Sequence, residues 1–230
     1  MNFFNYATLG LSVCLQLVLI FFLLRGYYRR YGIFLAYCII QLVMIAFQNG
    51  AYYTAGLNSA LYRNVYWTSE VLAYLLLFIM VILMTDRVLQ GSPMRPKAAR
   101  FLLIITIAAT ALPFVLYHPY FTGRWYRHAC QLLSLSGAVM NLILWTAMLA
   151  KRERDAQLMK VSVGLGLGVT GVAIAYGLFQ FLSADWLWIA DSLRSLTLLI
   201  MLAIWCAAFR AAPEASHPSE RPLAGNTLPL

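Results

Sequence analysis

Residues 187–209 read LWIADSLRSLTLLIMLAIWCAAF, and this stretch decides the fold. Within it only Asp191 and Arg194 are charged, and both lie in its first half. An α-helix rises about 1.5 Å per residue, so roughly 20 mainly apolar residues are enough to cross the hydrocarbon core of a bilayer. The stretch therefore predicts a transmembrane helix that carries two ionisable groups near one end.

Six more stretches of this kind account for most of the remaining chain. The composition is 62% hydrophobic and 11% charged, which excludes a soluble globular domain. We predict an all-α, polytopic bundle of seven transmembrane helices in residues 1–210, followed by a disordered, proline-containing cytoplasmic tail at residues 211–230. The predicted spans are about 4–24, 33–53, 64–84, 101–117, 128–150, 161–183 and 187–209.

The net charge of +9 is distributed unevenly between the connections of the predicted spans. The connections after spans one, three and five are rich in lysine and arginine, whereas the alternate connections carry only Arg63, Arg124 and Arg127. Cytoplasmic loops accumulate positive charge, so the pattern predicts an N-terminus outside and a C-terminus in the cytoplasm. The excess of basic residues is then explained by membrane topology and by attraction to anionic lipid headgroups. No nucleic-acid partner is predicted. The rich connections contain Arg25, Arg29, Arg30, Arg87, Arg95, Lys97, Arg100, Lys151, Arg152, Arg154 and Lys160.

Spans three and seven share a pattern that indicates an internal repeat. Residues 67–72 read WTSEVL and residues 188–193 read WIADSL, and a leucine-rich helix follows each at the same offset. A 3+1+3 plan with two parallel repeats would produce such a match, and repeats of this kind place transporter sites at their interface. Spans one and two do not visibly match spans five and six. A chance recurrence of an interfacial tryptophan before a leucine-rich helix therefore stays open.

Polar side chains concentrate in the halves of the spans that the topology places outside. Burial of polar groups in hydrocarbon is costly, so this placement is informative. The opposite halves, such as residues 75–84 and 198–209, are almost entirely apolar. Together they predict a polar, aromatic-lined pocket that opens outward above a closed hydrophobic plug. The predicted lining residues are Asn5, Thr8, Ser12, Gln16, Gln48, Tyr52, Tyr66, Tyr74, Gln131, Ser134, Asn141, Tyr176, Gln180 and Ser195.

Three ionisable residues, Glu70, Asp191 and Arg194, lie at similar predicted depths. Asp191 and Arg194 are spaced i, i+3 and can pair on one helix, while Arg194 can instead reach Glu70 across a helix interface. A charge that lacks a partner in lipid is costly, so we expect a paired cluster that faces the bundle interior. This cluster either anchors a ligand or couples protons, or it is a static salt bridge between spans three and seven.

Span six is rich in glycine, and Gly164 and Gly168 form a G-x-x-x-G pair. Such pairs let a neighbouring helix approach closely, so we predict close helix packing here, with a gating hinge as the alternative. Near the outer interface, a further group of ionisable residues is expected to be solvated. This group consists of Arg63, His118, His128 and Asp185.

Several chemistries are excluded by what the spans lack. No lysine lies inside a span, which excludes a retinal Schiff base, and no pair of histidines lies at membrane depth to bind haem. There is no zinc motif, and no histidine is placed to activate a serine nucleophile. The sequence therefore predicts a protein that is not an enzyme, with no metal site and no cofactor.

The run Tyr66-Trp67-Thr68-Ser69-Glu70 resembles a motif in a group of uncharacterised bacterial seven-helix membrane proteins, in which Tyr-Trp-x-x-Glu opens the third span. The resemblance extends over the whole layout and implies architecture but no activity. It implies a multi-pass protein of a bacterial inner, or plasma, membrane. The 3+1+3 layout is also similar to that of SWEET-type sugar carriers, although their Pro-Gln motif is absent.

Three functional hypotheses follow from these patterns. The first is a receptor-like or accessory module that binds a small molecule or lipid in the outer pocket and acts through a membrane or cytoplasmic protein partner. The second is a small-solute carrier that works by alternating access, which the repeat and the glycine-rich sixth span favour. The third is a structural subunit of a larger membrane complex, in which the ionic cluster only joins two helices.

Overall fold

The computed structural model describes residues 3–90, 95–117, 122–151, 155–183 and 186–210. Side chains are described throughout these ranges except at 3–6, 29–30, 97–99, 151 and 180. The predicted tail at residues 211–230 lies outside them, as do His118 and Asp185.

The described chain is helical and has no β-strand, which confirms the all-α prediction. A five-residue π-helical segment, Leu23–Tyr27, joins the first two helices, and non-helical backbone angles at Gly26 and Tyr31 let the chain reverse direction there. The helices are α1 Phe3–Phe22, α2 Tyr28–Ala55, α3 Ala60–Val88, α4 Arg95–Leu116, α5 Gly123–Lys151, α6 Ala156–Phe181 and α7 Leu187–Phe209.

Six of these helices are long and apolar enough to cross a membrane. The exception is α4, whose apolar part, Arg100–Leu116, is shorter. The helices also extend beyond several predicted spans, because polar residues at the ends continue the helix past its apolar core. For example, α5 begins at Gly123, whereas its predicted span begins at residue 128. The count of seven spans and the orientation in the membrane stay predictions.

The six long helices form a closed ring in the order α1, α2, α3, α5, α6, α7, and α4 packs on the outside against α5 and α3. Successive helices alternate in direction. We call the end with the α1–α2, α3–α4 and α5–α6 connections the basic end, and the end with the other three connections the pocket end. A 3+1+3 repeat would give this order, but a ring that leaves out α4 does not require a repeat, so the repeat stays a prediction.

Aromatic side chains of α2 and α7 close the interior of the ring at the basic end. The ring centroids of Phe34 and Trp205 are 4.9 Å apart, and those of Tyr31 and Phe209 are 5.1 Å apart, both in edge-to-face geometry. The indole of Trp205 also donates a hydrogen bond of 3.0 Å to the carbonyl of Val161 on α6. Since all four rings are buried, this end of the bundle contains a packed apolar core.

One ion pair joins α3 to α4 at the basic end. The guanidinium of Arg95 donates to both carboxylate oxygens of Asp86, at 2.9 and 3.0 Å. The nearby guanidinium of Arg87 lies 5.3 Å from the centroid of the Tyr31 ring, within the range of a cation–π contact. The ion pair places the start of α4 beside the last turn of α3, and the cation–π contact joins α3 to α2.

Glycines of α6 allow α7 to approach closely. A Cβ atom added at Gly164 would lie 2.8 Å from the indole of Trp205. Cβ atoms added at Gly168 and Gly171 would collide with Met201 and Thr197. In lipid, where no hydrophobic effect drives helices together, small residues stabilise a bundle by permitting such contact. The structure thus puts the G-x-x-x-G pair at the α6–α7 interface.

We expect Gly164→Ala to lower the free energy of unfolding by about 1–3 kcal/mol, the usual cost of overpacking, because the Trp205 indole is held by Val161 and cannot move aside. Gly177→Ala is the matched control on the same helix, since nothing lies within 4 Å of its added Cβ. It should be neutral or stabilising by up to about 1 kcal/mol. Thermal unfolding in one detergent compares the two, and equal effects would contradict the packing described here.

Candidate functional site

The predicted ionic residues lie together at the pocket end, between α3 and α7. Arg194 Nη1 donates to Glu70 Oε2 at 2.6 Å, and Arg194 Nη2 donates to Asp191 Oδ1 at 3.0 Å. Arg194 therefore makes both contacts that its spacing allowed, one across the helix interface and one along its own helix. The Arg194 and Glu70 side chains are mostly buried, with 13% and 16% exposure, whereas Asp191 is 44% exposed.

Two tyrosines complete the environment of Glu70. The hydroxyl groups of Tyr74 and Tyr176 donate to Glu70 Oε2 at 2.9 and 3.1 Å. One carboxylate oxygen thus accepts hydrogen bonds from α3, α6 and α7 at once. Charge-assisted hydrogen bonds of this kind compensate the cost of removing a carboxylate from water. We call Glu70, Tyr74, Tyr176, Asp191 and Arg194 the Glu70 cluster.

The Glu70 cluster carries one net negative charge, because it contains two carboxylates and one guanidinium. Arg194 makes its shorter contact with Glu70, so the Glu70 carboxylate balances the positive charge of Arg194. The more exposed carboxylate, Asp191, is therefore the excess charge, and it belongs to the wall of a cavity.

The first cavity has a volume of about 490 Å³ and lies among α1, α2, α3 and α7 at the pocket end. Its walls combine apolar surface with hydroxyl, amide and charged groups, as is typical of small-molecule sites. Eight of the residues predicted from sequence lie in its lining. They are Thr8, Ser12, Gln48, Tyr52, Tyr66, Asp191, Arg194 and Ser195.

Other predicted lining residues lie elsewhere. Gln131 and Tyr176 line a second cavity, described below. Gln16, Ser134 and Asn141 are buried in the bundle and do not line either cavity. The side chains of Asn5 and Gln180 are outside the described set. The physical reason for this spread is that depth in the membrane does not determine which neighbouring helix a side chain faces.

Sequence reasoning missed part of the first cavity, notably Tyr53, Tyr62 and several leucines. The rings of Tyr62 and Tyr66 are stacked with centroids 6.2 Å apart. Tyr62 could have been predicted to lie beside Tyr66, because their i, i+4 spacing puts both side chains on one face of α3. Leu9, Leu198 and Leu199 could not, because apolar residues in a transmembrane helix carry no signal that separates a cavity wall from a lipid contact.

A second cavity of about 570 Å³ lies on the other side of the Glu70 cluster, between α4, α5 and α6. Tyr176 lines it and also donates to Glu70, so this tyrosine connects the second cavity with the Glu70 carboxylate. His128, which we expected to be solvated, lines it too and stacks on Tyr117 with ring centroids 3.8 Å apart.

Within the described ranges, no three or more His, Cys, Asp or Glu side chains are grouped in a way that could hold a metal ion. The four cysteines are free thiols. Comparison of the chain with models of protein families, with curated proteins and with solved structures finds no match.

We expect Glu70→Gln to destabilise the protein by roughly 3–5 kcal/mol, because Arg194 would keep a mostly buried charge without its closest partner. Asp191→Asn should cost only about 0–1 kcal/mol, since that carboxylate is partly solvated. The unfolding free energy in mild detergent measures both.

The double variant Glu70→Gln/Arg194→Gln provides the control for this comparison. It should be less destabilised than the sum of the Glu70→Gln and Arg194→Gln single variants, since neither charge is then left alone. Losses of similar, small size for Glu70→Gln and Asp191→Asn would contradict the described role of Glu70.

Proposed function

We propose that this chain is a membrane-embedded, non-enzymatic binding protein of the receptor-like or accessory type. Its ligand is a small molecule or lipid held in the first cavity. The observation that carries the proposal is the half-exposed Asp191 carboxylate in the wall of a cavity of about 490 Å³ lined by tyrosines. Cavities of roughly 300–1,000 Å³ with a few polar groups are usual for small-molecule ligands.

The proposal includes seven spans, with the pocket end outside a bacterial inner membrane and the basic end in the cytoplasm. For α4, the support is that its two ends lie at opposite ends of the bundle. Arg95 pairs with Asp86 at the end of α3, while the Pro113 carbonyl accepts a hydrogen bond of 3.1 Å from Trp125 near the start of α5. The apolar part of α4, Arg100–Leu116, spans about 25 Å, which is near the lower limit for crossing the hydrocarbon core.

The chemistry of the first cavity favours an organic ammonium ligand. Asp191 supplies a negative charge that Arg194 neutralises only in part, because Arg194 also pairs with Glu70. Four tyrosines contribute to the walls: Tyr52, Tyr53, Tyr62 and Tyr66. Aromatic faces together with a carboxylate attract ammonium groups through cation–π and ionic contacts. A neutral molecule gains only the first cavity's apolar and hydrogen-bonding contacts.

Binding at Asp191 gives a route to a partner. An ammonium that pairs with Asp191 competes with Arg194 Nη2 and leaves Arg194 bound to Glu70 alone. The ligand thereby alters the contacts that hold α3, α6 and α7 together. A membrane or cytoplasmic protein that packs on these helices would sense the change.

Two other functions have less support. A carrier requires a polar route through the basic end, where Tyr31, Phe34, Trp205 and Phe209 form a packed apolar core. A purely structural subunit would need the salt bridge between Glu70 and Arg194, but it would not need a cavity beside a partly exposed carboxylate. Binding accounts for both features.

We expect the purified protein to bind phenethylammonium more tightly than phenethyl alcohol, which has the same shape and no charge. Asp191→Asn should weaken binding of the amine at least about tenfold, equivalent to about 1.4 kcal/mol, and leave the alcohol unaffected. Asp86→Asn, which removes a carboxylate at the basic end, is the matched control. Isothermal titration provides the affinities, and equal affinity of the amine for all three proteins would refute the assignment of Asp191.

Single cysteines introduced into a cysteine-free background test the topology. Asn58→Cys in the α2–α3 turn and Arg124→Cys at the start of α5 should react with an impermeant maleimide on intact cells. Gln90→Cys, at the end of α3, should react only after lysis. All three positions are exposed in the structure. Labelling of Gln90→Cys on intact cells would reverse the orientation, and protection of Arg124→Cys alone would remove α4 from the set of spans.

A further inference from the structure

The second cavity is lined by two arginines, whereas the lining of the first contains one carboxylate and one guanidinium. The described lining of the second cavity includes Arg124, Arg127 and His128 from the start of α5, and it includes no carboxylate. Within the described part of the chain, neither arginine forms a salt bridge. Arg127 Nε donates instead to the backbone carbonyl of Gly123, at 3.3 Å.

Membrane topology does not explain these arginines. Only three arginines and no lysine occupy the connections at the pocket end, and two of the three, Arg124 and Arg127, line this cavity. Their i, i+3 spacing in one helix brings two like charges together, which is unfavourable. The first turns of a helix also disfavour cations, because the helix dipole is positive there. An anion in the cavity would relieve both costs.

The lining of the second cavity also provides hydrogen-bond donors and an apolar side. Besides the two arginines and His128, the lining contains the hydroxyl group of Thr122, whereas the Tyr176 hydroxyl already donates to Glu70. These donors outnumber the two oxygens of one carboxylate and suit a phosphate group, which arginine binds in bidentate fashion. Leu116 and Phe179 form part of the wall. Leu116 also belongs to the exposed apolar surface of α4, together with Phe114 and Val115.

We propose that the second cavity binds a phosphate-bearing anion, with the phosphate at Arg124 and Arg127. The source that the geometry favours is an anionic phospholipid, because the adjacent surface of α4 offers an apolar track for an acyl chain. Free phosphate shares the headgroup chemistry and is the second possible source. This site is separate from the first cavity and does not depend on the ligand assigned there.

The test uses the full chain in nonionic detergent and follows the apparent melting temperature during titration. The probes are dioctanoyl phosphatidylglycerol, dioctanoyl phosphatidylcholine and inorganic phosphate. We expect phosphatidylglycerol to stabilise the protein at about tenfold lower concentration than phosphatidylcholine. Inorganic phosphate that stabilises as well as phosphatidylglycerol would assign the site to the free anion. If neither anion acts at lower concentration than phosphatidylcholine, the proposal is wrong.

Variants locate the effect. Arg124→Gln/Arg127→Gln should weaken the response to phosphatidylglycerol at least about tenfold and leave the response to phosphatidylcholine unchanged. Arg63→Gln is the matched control, since Arg63 is the remaining arginine of the connections at the pocket end and does not line the cavity. An equal loss in both proteins, or in neither, would overturn the assignment.

A salt titration of the unaltered protein keeps the test decisive if the double variant does not fold. Raising the salt concentration from about 50 mM to about 500 mM screens charge pairing. It should weaken the effect of phosphatidylglycerol and leave that of phosphatidylcholine unchanged. A response to phosphatidylglycerol that does not depend on salt would contradict charge recognition and the proposed site with it.

Discussion

The arrangement of the pocket end depends on one mostly buried carboxylate oxygen, Glu70 Oε2. It accepts from Arg194 at 2.6 Å, from Tyr74 at 2.9 Å and from Tyr176 at 3.1 Å. A carboxylate inside a bundle must be paired and hydrogen-bonded, because desolvation of a charge costs several kcal/mol. This requirement joins α3, α6 and α7 at a fixed register. It also orients Arg194 so that its second nitrogen meets Asp191.

The Glu70 cluster divides the pocket end into two cavities that differ in charge, because one is lined by Asp191 and Arg194 and the other by two arginines. On one side, Arg194 and Asp191 form part of the wall of the first cavity, and on the other side Tyr176 forms part of the wall of the second. Each cavity therefore contacts a group that is hydrogen-bonded to Glu70. A ligand that competes for Arg194 or for the Tyr176 hydroxyl would change the same carboxylate environment. The two proposed sites are thus physically linked through Glu70.

The long apolar helices and the charged residues of the Glu70 cluster could be predicted from the sequence, because hydropathy and i, i+3 spacing are local properties. The cost of a lone charge in lipid predicted a paired cluster but left open whether Arg194 pairs with Asp191 or with Glu70, and in the structure it contacts both. The contribution of Tyr176 could not be derived, since it requires knowing that α6 lies beside both α3 and α7. For the same reason Gln16, Ser134 and Asn141 were assigned to one pocket, although they are buried elsewhere. Helix order and rotation depend on packing contacts such as Gly164 against Trp205, which no periodicity specifies.

The most direct test of a ligand site built around the Glu70 cluster is an experimental structure of the protein, extracted gently from its native membrane. We predict that Arg194 bridges Glu70 and Asp191 and that non-protein density fills the first cavity beside Asp191. A bundle in which side chains of α1, α2 and α7 close that cavity and seal Asp191 from solvent would contradict a binding function. It would favour the salt bridge as a purely structural contact.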